Sequence, residues 1–190
     1  MLENVLTNRN VSLKGKIACK TIVSAVLIAL SVLIPQLVHL AVGAEGGVKY
    51  LPMYLPVLIG GCLLGMSWGL SVGILAPVMS FIITSAMGNP MPALQRLPFM
   101  ILELGVFALV SGAFTKKISE NTLWAFPGVI LSQLAGRGFF LLTVALFGSL
   151  ANMSVAMIWG QIQKGLSGLV IQAVLAPVII ILLGKVVKND

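Results

Sequence analysis

Charge is what this chain has least of. Only 9% of its 190 residues are Asp, Glu, Lys or Arg, while 58% are hydrophobic; soluble domains carry roughly 25% charged residues. So little charge cannot keep a folded chain in water, and an integral membrane protein is expected. Histidine and aspartate occur once each, as His39 and Asp190. That leaves no material for a Ser-His-Asp triad, an HExxH zinc site or a di-carboxylate metal centre. Neither catalysis nor a metal or organic cofactor is expected. The two cysteines, Cys19 and Cys62, sit in apolar context without CxxC spacing and read as small packing residues. No GxxxxGK[ST] loop is present, so any ATP hydrolysis coupled to this chain belongs to a partner.

What is present is apolar sequence in membrane-length runs. A span needs about 20 mostly apolar residues, and cutting at charges, Pro/Gly clusters and polar loops gives six: 17–35, 51–65, 68–87, 97–114, 123–147 and 155–184. The expected fold is therefore an all-α integral membrane bundle of six transmembrane helices in a single domain, 1–190. The first run has a basic flank like a signal peptide, but it is long, lacks an A-x-A site and is followed by further spans, so it reads as a retained helix. The second is short and carries Pro52 and Pro56, which predicts an irregular or re-entrant start. Pro77 and Pro177 are expected to kink the third and sixth, since proline removes a helical hydrogen bond and crowds the preceding turn. The repeated LAPV at Leu75–Val78 and Leu175–Val178 has no matching flanks and reads as chance.

The net charge of +7 does not fit a nucleic-acid binder, because its bases are scattered between apolar runs rather than gathered on one face. They fit membrane topology. Arg9, Lys14, Lys16, Lys20, Lys116, Lys117, Lys185 and Lys188 fall on one side; Lys49 and Arg96 fall on the other, with Lys164 just inside span six. The positive-inside rule then places both termini in the cytoplasm. Two outer connections are longer than turns: residues 36–50, with His39 and GAEGG, and residues 88–96, reading GNPMPALQR and including Asn89. They read either as lids over an outward-facing ligand cavity or as ordinary solvated loops.

Inside the spans the charges are few and expensive. The run PFMILELGVFALVSGAFTKK holds one carboxylate, Glu103, which is costly among Leu, Ile, Phe and Val unless paired. Counting inward at about 1.5 Å per residue puts Glu103, Arg137 and Lys164 in one layer, roughly 9 to 15 Å below the outer surface. Such groups face the bundle interior and mark a ligand site or pathway. Gln133 is one turn from Arg137, and Trp159 about one turn above Lys164. The bland alternative is a Glu103–Arg137 pair that only locks spans four and five; a proton relay is a third reading, without an Asp/Glu/His chain to support it. Trp159 fits an interfacial belt as well as a ring-stacking contact. His39 and Tyr54, amphipathic at the boundary, fit either the interface or the cavity. On span one, Ala25 and Ala29 share a face continuing toward Ala18, a small-xxx-small pattern that lets another helix approach; packing within the chain is the default reading.

The ordered elements LPMYLPVLIGGCLLG, GLSVGILAPVMS, NPMP, LPFMILELGVFALVSG and LSQLAGRGFFLL together resemble the substrate-binding S components of energy-coupling factor (ECF) vitamin transporters, over about residues 17–185. The branch most resembled carries a LPMHIPVLL-like second span, a TGMPP-like outer loop, an ELxxYG-like fourth span and an AGR element in the fifth. The resemblance implies a six-helix subunit, N-in and C-in, that captures a vitamin-like small molecule from outside and delivers it to two ATPases and a membrane coupling subunit. It also implies that Ala25 and Ala29 dock on the coupling subunit. Here Tyr54 stands for the usual His, Met66 for a Pro after LLG, Phe107 for Tyr, and SAMGNPMP is longer than TGMPP, so the resemblance does not fix the ligand.

Three functions compete on the sequence: an S component, a self-sufficient ion-coupled carrier with Glu103 as its coupling site, and an assembly subunit without ligand. For an S component, a cationic excess at Arg137 and Lys164 suits a carboxylate such as niacin or pantothenate. Glu103 with an aromatic ring suits a hydroxylated heterocycle such as pyridoxine or hydroxymethylpyrimidine. On the pocket reading, Glu103→Gln should weaken binding more than folding.

Overall fold

In lipid every backbone polar group must find a partner within the chain, which leaves helices as the economical solution for runs this apolar. The computed structural model describes residues 1–189; Asp190 lies outside the described residues, as do the side chains of Asn8, Ala44 and residues 186–189, among them Lys188. The described chain forms helices α1 (Leu2–Asn8), α2 (Leu13–Val42), α3 (Ala44–Tyr50), α4 (Tyr54–Leu64), α5 (Met66–Ala86), α6 (Leu97–Ala113), α7 (Thr115–Glu120), α8 (Ala125–Phe147) and α9 (Val155–Asn189), with 3-10 turns at Leu94–Arg96, Thr122–Trp124 and Gly148–Ala151. Among the described residues there is no strand. Six helical segments are long and apolar enough to cross a membrane: Leu13–Val42, Glu45–Leu64, Met66–Ala86, Leu94–Ala113, Thr122–Ala151 and Val155–Lys185.

The first span corrects the sequence-based boundary. Pro35 does not end it; α2 continues to Val42, so residues 36–50, expected as a loop, are helical apart from the break at Gly43. One proline costs one hydrogen bond, whereas unwinding Leu37, Val38 and Leu40 in an apolar setting would strand several backbone groups. The second span starts irregularly. Leu51 adopts the left-handed conformation (φ 50°, ψ 47°), Pro52 comes next, and α4 begins only at Tyr54. Helices α5 and α9 run on through Pro77 and Pro177.

The centre of the bundle is a close-packed seam of α4, α5 and α6. A Cβ on Gly69 would lie 2.8 Å from the Cα of Gly61, one on Gly73 would lie 2.6 Å from the Leu104 carbonyl oxygen, and one on Gly112 would lie 2.7 Å from the Cα of Met66. Only glycine allows backbones this near, and small residues at helix contacts supply the packing that lipid cannot drive. Around the seam Val57, Leu58, Cys62, Val72, Leu104, Phe107 and Val129 form the main core. Phe99, Phe140, Val144, Met153, Ile158 and Ile162 form a second cluster beside it, between α6, α8 and α9.

At the end that holds the termini, α1 folds back on the bundle. Glu3 pairs with Lys20 at 2.9 Å, Asn4 donates to Ser119, and the buried Met1 side chain packs at Gly184 and Thr122. The Lys20 ammonium beside Glu3 holds its carboxyl below the usual range. Helix α2 turns most of its surface away from the bundle, burying only Ser24, Leu27, Ser31 and Val32. Ala18, Ala25 and Ala29 lie on its exposed side.

Candidate functional site

Three side chains from three helices meet near the end opposite the termini. Tyr54 opens α4, Glu103 sits on the buried face of α6, and Arg137 occupies the buried face of α8 in register with Gln133 and Phe140. The local sequence shapes this meeting. Gly136 precedes Arg137, and a Cβ there would come within 2.9 Å of the Phe107 ring, so the Gly-Arg pair lets α8 approach α6 while delivering a guanidinium to the junction. Phe107 in turn packs on Tyr54, with ring centroids 5.0 Å apart.

Arg137 Nη1 lies 2.9 Å from Glu103 Oε1, and the Tyr54 hydroxyl donates to Glu103 Oε2 at 2.8 Å. The guanidinium carbon stands 4.9 Å from the centroid of the Tyr54 ring, within cation–π range. Glu103 is 0% exposed and Arg137 7%. A carboxylate buried to this degree is tolerable only because one oxygen accepts the Tyr54 hydrogen bond and a full positive charge stands against the other. Arg137 still has donors to spare: Nε and Nη2 have no hydrogen-bond partner among the described residues.

The triad borders a cavity of about 320 Å³, at the small end of the roughly 300–1,000 Å³ found for small-molecule sites. Its walls are largely apolar, with Pro35, Met53, Met91, Met100 and Phe140 among them, and its polar groups include His39, Ser80, Arg96 and Gln161. One wall is the segment before α6. Ser80 Oγ donates to the Met91 carbonyl at 2.8 Å, and the Met91 N–H donates to Thr84 Oγ1 at 2.7 Å, so α5 holds that segment by its backbone. Opposite, α3 is tied to α9: Gln172 Nε2 donates to the carbonyls of Tyr50 and Leu51 at 2.9 and 2.8 Å. Gly165 and Gly168 let the α3 backbone lie close against α9.

Of the residues singled out from sequence, Glu103, Arg137, Tyr54 and His39 line the cavity. Lys164, Gln133, Trp159 and Asn89 do not. Lys164 and Trp159 are exposed, because α9 buries Ile158, Ile162, Gly165, Gly168, Gln172 and Ala176, the opposite face. Counting residues fixes depth along a helix but not rotation about it, and two residues turn the side chain by about 200°. The layer of three charges is therefore a layer of two, with Lys164 outside the bundle. Gln133 is buried but spends its amide on the Leu169 carbonyl at 3.1 Å, joining α8 to α9. Asn89 is exposed, beyond the Met91 anchor.

Met91 and Arg96 belong to the 88–96 segment that the sequence offered as a candidate lid, though neither was singled out; Ser80, Met100 and Gln161 were not expected at the cavity. Arg96 stood in plain view as the last residue of GNPMPALQR, but by itself it served only as a marker of orientation. Met100 and Gln161 carry no signal of their own, since a single Met or Gln in an apolar helix has no period.

Comparison with known families decides what kind of protein this is. A family model described as "ECF transporter, substrate-specific component" matches residues 20–180. The chain belongs to that family. None of the curated proteins or solved structures matches it. The matched residues include α2 through most of α9, and hence every residue of the Tyr54–Glu103–Arg137 triad and of the cavity wall. As an ECF substrate-specific component the chain is the subunit of an importer that takes the small-molecule substrate, a membrane protein with multiple spans rather than the ATP-hydrolysing machinery.

Proposed function

We propose that this chain is the high-affinity capture subunit of an ECF-type importer in a bacterial plasma membrane. Its substrate is a B vitamin or related small heterocycle, bound in the cavity beside Glu103 and Arg137. A membrane coupling subunit and two ATPases then take part in moving that substrate inward. Both termini face the cytoplasm and the cavity faces outward, in keeping with the bias of lysine and arginine toward the termini. The exposed Ala25 and Ala29 are the surface offered to the coupling subunit.

The observation that carries this reading is the cavity: a small, mostly apolar space among helices of an ECF substrate-specific component, floored by a buried Tyr–Glu–Arg triad. Apolar walls with a few convergent polar groups are what a small-ligand site requires. The full-length protein, purified and placed in lipid nanodiscs, should bind at least one B vitamin with micromolar or tighter affinity. Ala93→Trp puts bulk at the exposed mouth without touching the core, and should reduce that binding at least tenfold while leaving the melting temperature unchanged. Vesicles with this chain alone should not accumulate the ligand on an ion gradient, whereas vesicles that also hold the coupling subunit and ATPases should do so with ATP. Binding that ignores Ala93→Trp, or uptake by the chain alone, would overturn the proposal.

A further inference from the structure

The cavity's charges do not cancel, and the surplus sits on one residue. Arg96 and Arg137 line it, against the single carboxylate of Glu103; His39 is neutral in the formal count. Arg137 balances the Glu103 charge through Nη1 at 2.9 Å, with Nε and Nη2 left as spare donors. Glu103 itself is completely buried, with Tyr54 donating to one oxygen and the Arg137 guanidinium 2.9 Å from the other, so both oxygens already face protein groups. Arg96 is different. It is half-buried at the cavity, and no ion pair or side-chain hydrogen bond involves it among the described residues.

Its place in the fold makes that cation still less comfortable. Arg96 is the N-cap of α6, a 17-residue helix with no acidic residue in its first turn and no side-chain cap. The positive end of the helix dipole favours an anion there and disfavours a cation. An arginine and a helix N-terminus thus reinforce each other at the cavity wall, with no anion in the described chain to meet them. A planar guanidinium is well suited to a carboxylate, which it grips through two parallel hydrogen bonds.

Resting on the reading that this cavity is the substrate site, we infer that its substrate is a monoanionic carboxylate, with Arg96 as the residue that contacts the carboxylate group. Glu103 is then a positioning residue that holds Arg137 and Tyr54 rather than a ligand contact. One surplus positive charge matches one carboxylate. A phosphate monoester carries about 1.5 to 2 negative charges at pH 7 and would leave the site over-neutralised.

The test uses matched acid and neutral probes on the full-length protein in nanodiscs: nicotinate against nicotinamide, pantothenate against pantothenol, and 4-pyridoxate against pyridoxine, with pyridoxal against pyridoxal 5′-phosphate for the phosphate arm. In at least one pair the carboxylate should bind at least tenfold tighter than its neutral partner. Arg96→Gln should erase that preference to within about twofold, and Arg96→Lys should keep part of it. If every probe that binds is the neutral or the phosphorylated member, the carboxylate assignment is wrong while the cavity reading stands. An acid preference that survives Arg96→Gln removes Arg96 from the site. Binding of no probe at all overturns both the carboxylate assignment and the vitamin-capture reading.

Discussion

Removing the Glu103 carboxylate would strand a guanidinium in the protein interior. Deleting one partner of a buried ion pair costs about 3–5 kcal/mol, mostly through the uncompensated charge left behind. Glu103→Gln should therefore lower the melting temperature markedly, and the double variant Glu103→Gln with Arg137→Met should be less destabilised than Glu103→Gln alone. Melting curves of the three proteins in one detergent check this; equal losses for single and double variants would show that the pair is not what the carboxylate serves. This departs from the sequence-based expectation that Glu103→Gln affects binding more than folding, because both oxygens face protein groups. Tyr54→Phe is a milder probe. It leaves the ring on Phe107 and removes only the donor to Glu103 Oε2, at a cost of about 1–3 kcal/mol. The same melting assay should place it between wild type and Glu103→Gln.

At the scale of helices, backbone proximity sets what can be substituted. Gly73→Ala would drive a methyl group to 2.6 Å from the Leu104 carbonyl, forcing α5 away from α6 and costing about 1–3 kcal/mol. Gly138, on the exposed side of α8, has nothing within 4 Å of a built Cβ, so Gly138→Ala should be neutral or stabilising by up to about 1 kcal/mol. Thermal melts of the pair give the comparison directly. Hydropathy made the spans legible from sequence, because length and apolarity alone demand helices in lipid. It could not show that α2 passes through Pro35, since a proline ends one helix and is absorbed by another according to how apolar the next residues are. The three residues of the triad were legible; the joining of Tyr54 to the pair was not. Glu103 and Arg137 announced themselves as charges where charges are expensive, whereas Lys164 misled because a lysine near a helix end can reach water with its long stem. Arg96 was visible and not singled out, because a lid reading of residues 88–96 does not say which of its side chains turns to the cavity.

For the molecule as a whole, an even number of spans puts the termini, α7 and the Lys116–Lys117 pair at one end and Asn89 at the other. In a background lacking Cys19 and Cys62, Asn89→Cys should react with an impermeant maleimide added outside intact cells, and Glu120→Cys should react only after the membrane is opened. The reverse pattern would invert the topology. The rim of the cavity carries a last consequence. Its walls are secured by Ser80 and Thr84 on Met91 and by Gln172 on Tyr50 and Leu51. On the proposed function, a ligand would meet a site that is already ordered and lose little affinity to arranging it. Where exit requires the rim to part, the same bonds would also lengthen residence time. In the proposed importer, a subunit built to hold on would need a partner to strain this rim before its ligand is let go.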